Sequence, residues 1–187
     1  MDQDLVVRVQ GGDQRAFEAL AGADYPRLYR VAYGVMGDHP SAEDVTQQAL
    51  LDIWSDIRRL ADPAKYEAWS YRLLVRVCYA EARRQPKWRS SDDIAPAHEP
   101  RAVDAFGAVA DRDQLERGLQ RLSMDHRVVL ALRHLLGMPL EDVAATLGVS
   151  RWTVYKRLQA ATEAMRAALE ADARSETPAT EPQEALR

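Results

Sequence analysis

Cysteine is nearly absent from this chain: among 187 residues, Cys78 alone carries a thiol. An intramolecular disulfide is thereby excluded, and the composition fits a reducing compartment. Histidine is scarce too, and the four present (His39, His98, His126 and His134) share no metal-like spacing with one another or with Cys78. No window approaches ~18 consecutive apolar residues, so no membrane span is expected. The opening "MDQDLVVRVQGGDQ" lacks the basic-then-apolar order of a secretory signal. Also missing are a glycine-rich phosphate loop, an H-E-x-x-H pair and a nucleophile elbow. Together these absences point to a cytoplasmic protein that is not an enzyme and takes no metal or cofactor.

Positive charge is in deficit, at a formal net −4, which argues against bulk electrostatic binding of nucleic acid. Locally the balance reverses. Between Arg151 and Arg166 four cations (Arg151, Lys156, Arg157, Arg166) stand against one anion, Glu163. DNA binding centred there is expected to be local, and weak when that segment acts alone.

No strand pattern of useful length occurs, so the chain reads as all-α, with two helical domains joined by a flexible linker. Residues 1–84 form the first domain. Asp13 is placed to cap a helix through Phe17 and Leu20, with a kink near Pro26 before Leu28, Ala32 and Val35. In "GDHPSAEDV", Gly37 suits a helix end and Ser41 an N-cap, with Asp44 at the third position. Val45, Ala49, Ile53 and Ile57 continue as a buried stripe until "LADPAKYE", where Pro63 restricts Asp62 and lacks an amide hydrogen. A third helix is expected over Tyr66 to Arg84.

Residues 85–111, with three prolines and paired Ser-Ser and Asp-Asp, read as the linker. The second domain is placed at 112–171, and the tail at 172–187 is expected to be disordered. In the second domain Leu115, Leu119 and Leu122 form one stripe and "HRVVLALRHLL" an apolar helix. Leu140, Val143, Ala144 and Leu147 are followed by Gly148, a capping Ser150, and Val154, Leu158, Ala161 and Met165 at helical spacing. Two helices around a short glycine-containing turn make a helix-turn-helix.

Three clusters carry functional expectations. On the second helix of that motif, Trp152, Lys156 and Gln159 lie opposite the apolar stripe, with Tyr155 on a flank. Such a helix enters the major groove N-terminus first. There Lys donates to guanine, Gln pairs with adenine and an aromatic meets a thymine methyl. Arg157 is better placed for phosphate, and the Ser150-capped end, with Arg151 and Thr153 beside it, attracts phosphate as well. A solvated face is the bland alternative for the Lys156–Arg157 pair, and Trp152 is equally suited to wedge between the two helices.

In "AEDVTQQALLDIW", Glu43, Asp44, Gln47, Gln48 and Asp52 lie outside the buried stripe. They suit a wet surface or a docking helix for an arginine-rich partner. In "YEAWSYRLLVRVCYAEARR", Trp69 and Tyr79 interleave with Arg72, Arg76, Arg83 and Arg84. That is the composition of a single-strand platform, although Trp69 and Tyr79 also suit a core.

With these clusters in this order, the chain resembles the extracytoplasmic-function sigma factors of bacterial RNA polymerase over about residues 10–170. "DQRAFEAL" looks like that family's opening, "AEDVTQQALLDIW" its polymerase-binding helix, "YEAWSYRLLVRVCYAEARR" its promoter-melting helix and "GMPLEDVAATLGVSRWTVYKRL" its upstream-element reader. The resemblance implies core RNA polymerase, promoter DNA and an anti-sigma factor as partners. Glu43, Asp44, Gln47 and Gln48 would meet the polymerase clamp. The loop from Arg58 to Tyr66, with Arg59 and Lys65, would capture a base flipped from the minus-ten non-template strand. Trp69, Arg72, Arg76, Tyr79, Arg83 and Arg84 would hold that melted strand. Tyr155, Lys156 and Gln159 would read the minus-thirty-five element, with Arg157 on a phosphate. The chain departs from the family pattern at Arg76, where Asn is usual, at Ala160 and Thr162, where Arg is usual, and at Trp152, where a small residue is usual. A stand-alone helix-turn-helix regulator that binds DNA as a dimer is the competing reading.

Overall fold

The computed structural model describes residues 2–85 and 116–176, with side chains through residue 171. Among the described residues there is no strand. The first domain contains helices α1 (Gln3–Gln10), α2 (Gln14–Met36), α3 (His39–Asp56) and α4 (Tyr66–Arg84), with two 3₁₀ turns, Ile57–Arg59 and Pro63–Lys65, between α3 and α4. The second contains a helical stretch at 116–120, α5 (Met124–Leu130), a π-helical continuation at Ala131–Leu135, α6 (Leu140–Leu147) and α7 (Arg151–Glu176). Apart from Gln85, the linker expectation falls on residues outside the described set, as does most of the expected tail. Helix α7 itself runs on to Glu176, past the expected start of that tail.

Asp13 caps α2 as expected, its carboxylate accepting from the Ala16 amide at 3.0 Å. Helix α2 then continues through Pro26 and ends at Gly37, whose φ of 75° lies where a side chain is strained. The start of α3 differs from expectation. Asp38, in an extended conformation, is the N-cap and accepts from the Ser41 amide at 2.9 Å. Asp38 precedes Pro40, which is preorganised for the first helical turn, so Ser41 is already inside the helix. Its hydroxyl instead accepts from Gln85 Nε2 at the end of α4. Helix α1 escapes the sequence reading because it buries only Val6 and Val9. The expected second-domain helix at "HRVVLALRHLL" also changes character, passing from α to π at Ala131. A π turn inserts a residue into the hydrogen-bond ladder, which a periodicity pattern does not reveal.

Leu20, Leu28, Ile53, Tyr66 and Leu74 fill the first domain. The same buried cluster extends to Val128, Leu132, Val143 and Val154 of the second, so the two domains share one apolar core. Beneath α4 lies an ionic knot. Asp24, fully buried, accepts from Arg27 Nε at 2.8 Å and Nη2 at 2.9 Å and from the Tyr66 hydroxyl at 2.5 Å. Arg27 also donates to Ser70 Oγ at 2.8 Å and lies 4.7 Å from the Tyr71 ring centroid. Burial opposes the Arg27 charge, but the Asp24 carboxylate more than offsets it and holds the guanidinium firmly protonated.

A second polar anchor joins the domains. Arg127, 3% exposed, donates through Nη1 to the carbonyls of Val35 (3.2 Å) and Met36 (3.3 Å) at the end of α2. A cation at a helix C-terminus meets both the orphan carbonyls and the negative end of the helix dipole. Burial disfavours the Arg127 charge, and the nearby Asp38 opposes that effect. Tyr33 donates to Glu116 Oε1 at 2.5 Å across the same junction.

Candidate nucleic-acid interface

The helix-turn-helix is built as its sequence requires. Helix α6 ends at Gly148, whose φ of 66° reverses the chain, and Ser150 Oγ accepts from the Thr153 amide at 3.1 Å to start α7. Val154 and Ala161 of α7 are buried, and Leu158 is half-buried. On the opposite side Trp152, Tyr155, Lys156 and Gln159 form one exposed stripe at i, i+3, i+4 and i+7. Trp152 is therefore not a wedge between helices: it is 64% exposed. Arg151 reaches back to Glu141 of α6 at 3.1 Å, and Thr153, half-buried, returns a hydroxyl contact to Ser150 at 2.8 Å.

Arg157 points elsewhere. It turns toward the first domain and pairs with Asp125 at 2.7 Å, while the Tyr79 hydroxyl donates to the other oxygen of Asp125 at 2.6 Å. Burial, reinforced by that carboxylate, raises the Tyr79 phenol above its ordinary range, so it remains a donor. Asp125 thus joins one candidate strand residue and one candidate phosphate residue. Neither contact is legible in the sequence, because the two side chains come from helices far apart in the chain.

Around this junction lies an interdomain cleft of about 740 Å³ that brings together Arg59, Trp69, Arg72, Arg76, Tyr79 and Arg157. The end of α6 and the turn after it, Ala145 to Val149, also line it. Trp69 and Tyr79 are both half-buried, Trp69 being tilted on Tyr66 at a centroid distance of 6.0 Å. Each therefore packs with one side and leaves the other accessible, a position between the two sequence alternatives. Arg72, Arg76, Arg83 and Arg84 are exposed. Several of these cations hold carboxylates: Arg76 meets Asp52 at 3.0 Å and Asp56 at 3.7 Å, Arg59 meets Asp56 at 3.0 Å, and Arg84 meets Glu81 at 3.7 Å. Arg58 and Lys65 lie on the two 3₁₀ turns that precede α4, and Lys65 pairs with Asp62 at 3.9 Å.

On α3 the docking candidates Glu43, Asp44, Gln47 and Gln48 are all exposed, above buried Val45, Ala49 and Ile53. Leu51, 60% exposed, extends the Asp44–Gln47–Gln48 stripe by one turn. The sequence reading passed over it, although an apolar residue outside the Val45–Ile57 stripe was the available signal. Among the described residues no group of three or more His, Cys, Asp or Glu could hold a metal ion. None of the described helices is long and apolar enough to cross a membrane. Cys78 is buried and its thiol is pushed up to about 12, far from a reactive thiolate.

An all-helical first domain with an exposed polar stripe and a cation-aromatic cleft, followed by a helix-turn-helix, has the build of a two-module DNA-binding protein. Comparison with known proteins names its family. The family model for Sigma-70 region 2 matches residues 20–88, and that for Sigma-70 region 4 matches residues 112–165. The chain is 31% identical over 147 residues to the ECF RNA polymerase sigma factor SigL of Mycobacterium tuberculosis, an alignment covering 76% of this chain and 82% of that one. It is 28% identical over 163 residues to the ECF RNA polymerase sigma factor SigE of Mycolicibacterium smegmatis, covering 83% of this chain and 63% of SigE. The solved structure of the sigma factor RpoE with the anti-sigma factor NepR from Bartonella quintana superposes with a TM-score of 0.63 at 24% identity, over 83% of this chain and 98% of RpoE. The chain belongs to the extracytoplasmic-function sigma factors of the sigma-70 family. Sigma factors are non-catalytic specificity subunits.

Proposed function

We propose that this chain binds core RNA polymerase through the exposed stripe of α3 and directs promoter recognition and melting. The melted non-template strand of the minus-ten element would run along α4, held by Arg72, Arg76, Arg83, Arg84 and the accessible sides of Trp69 and Tyr79. Arg58, Arg59 and Lys65 stand at its entrance. The outward stripe of α7 would read the upstream element as duplex, with Lys156 and Gln159 on base edges and Ser150, Arg151 and Thr153 toward phosphate. Residues 1–84 and 112–171 act as the two modules, joined by 85–111. Arg157 reaches phosphate once it leaves Asp125. The chain works in the cytoplasm, catalyses nothing itself, and is held in check by an anti-sigma partner of the kind seen on RpoE.

One observation carries this reading: α7 buries Val154 and Ala161 while turning Lys156 and Gln159 outward beside a capped, cation-flanked N-terminus. A net charge of −4 is no obstacle. Two modest readers tethered to polymerase gain affinity through effective concentration rather than bulk charge. In vitro transcription with purified core polymerase over a genomic DNA library tests the proposal. Start sites sharing paired upstream and minus-ten elements support it. An absence of chain-dependent start sites refutes it.

A further inference from the structure

Trp152 and Tyr155 form an apolar plate in the first turn of α7. Trp152 is 64% and Tyr155 40% exposed, yet their rings are stacked at a centroid distance of 5.5 Å and an interplanar angle of 24°. Lys156 Nζ lies 5.2 Å from the Trp152 ring centroid, and Gln159 Nε2 donates to the Tyr155 hydroxyl at 2.7 Å. The four side chains therefore hold one another in place before anything binds. What covers the plate must accept a cation-flanked, N-terminal helical turn, since Arg151 and Lys156 border it and Ser150 caps it. The major groove of DNA meets that requirement, with phosphates on both walls and one apolar group on its floor, the thymine C5-methyl.

We propose that Trp152, backed by Tyr155, is a specificity-determining residue that packs on a thymine methyl of the upstream promoter element. This inference rests on the reading of α7 as a major-groove helix. Trp152 lies one turn before Lys156, about 6 Å along the helix, and a base-pair step rises about 3.4 Å. The thymine contact therefore falls about two base pairs from the position addressed by Lys156. The Lys156 ammonium sits 5.2 Å from the indole centroid, a cation-π contact that steadies the ring, and its three N–H donors still serve a base edge. Trp152 thus supplies sequence discrimination without adding charge.

The test uses holoenzyme assembled from core polymerase and the full chain, binding promoters with a randomised upstream element. Selected sequences are then rebuilt with uracil in place of individual thymines, which removes only the methyl. Wild type is expected to enrich thymine at a position about two base pairs from the Lys156-dependent one, and to bind about fourfold more weakly when that thymine becomes uracil, the value of one buried methyl. Trp152→Ala should lose both the enrichment and the thymine–uracil difference, and Trp152→Phe should restore both. The exposure of Trp152 leaves the fold intact in either variant. If Trp152→Ala keeps the thymine preference, or weakens binding uniformly across sequences, the inference is overturned. Reduced holoenzyme assembly by Trp152→Ala would also overturn it, by making the plate a protein-docking surface. If Lys156→Ala loses the upstream preference while Trp152→Ala does not, this inference alone fails. If wild type shows no upstream preference, the reading of α7 itself fails.

Discussion

The two surfaces proposed to meet nucleic acid, along α4 and α7, are made in opposite ways. Along α4, Arg76 is held by Asp52 and Asp56 and Arg84 by Glu81, carboxylates of their own domain. On α7 the outward cation Lys156 lies over an indole instead, and its neighbours Tyr155 and Gln159 are hydrogen-bonded to each other. On the proposed reading, the phosphates of a flexible single strand would have to displace Asp52 and Asp56 to reach Arg76, which would suppress binding until polymerase presents the strand. A duplex is stiff and rewards a reader whose side chains are already in place. Self-neutralisation suits a surface proposed to melt DNA, and preorganisation suits one proposed to read it.

Four substitutions break or sharpen this contrast, from the largest expected effect to the smallest. Asp24→Ala removes the carboxylate under α4 and leaves Arg27 buried without its counter-charge. The loss of stability should be about 3–5 kcal/mol, read by denaturant unfolding. A change below about 1 kcal/mol would show that the α4 platform does not stand on that knot. Asp44→Arg places a cation on the α3 docking stripe where a carboxylate should meet polymerase. Like-charge contact costs several kcal/mol, so core polymerase affinity should fall about 100-fold in pull-down or anisotropy, with no change in the thermal transition. Retained co-purification with core would remove α3 from the interface.

Lys156→Ala tests the preorganised reader directly. Losing one base-edge contact should lower discrimination by roughly 1–3 kcal/mol, seen as weaker run-off transcription from upstream-dependent promoters at unchanged core affinity. Unchanged run-off would leave Lys156 a solvated residue. Asp125→Asn has the smallest expected effect. It keeps an acceptor for Tyr79 but removes the charge facing Arg157 in a partly exposed pair, worth about 0.2–1 kcal/mol. Amide exchange in α5 should accelerate about 1.4-fold to fivefold. Unaltered exchange would mean the Arg157–Asp125 contact does not help hold α5 against α7.

Much of this arrangement is written locally and some is not. Helix α4 and the α6–turn–α7 unit are legible because spacing, Gly148 and Ser150 agree on where helices stop and start. The α3 cap is misread because Ser41 and Asp38 both satisfy the sequence rule, and only the extended backbone at Asp38 selects between them. Trp152 stays ambiguous in sequence because an indole suits a core or a groove equally, and its exposure decides the matter. The Asp125 junction and the Arg127 anchor join side chains and carbonyls separated by 32 to 92 positions along the chain. No local pattern encodes such pairings, so the candidate residues can be named from sequence while their convergence on one cleft cannot.

The most direct measurement is equilibrium binding of the full chain to a promoter duplex selected by its holoenzyme, with and without core polymerase, at physiological salt. Alone, the chain should bind no more tightly than the non-specific range of about 10⁻⁴–10⁻⁶ M. With core present, the same duplex should be held at least 100-fold more tightly. Nanomolar, sequence-specific binding by the chain alone would contradict the account.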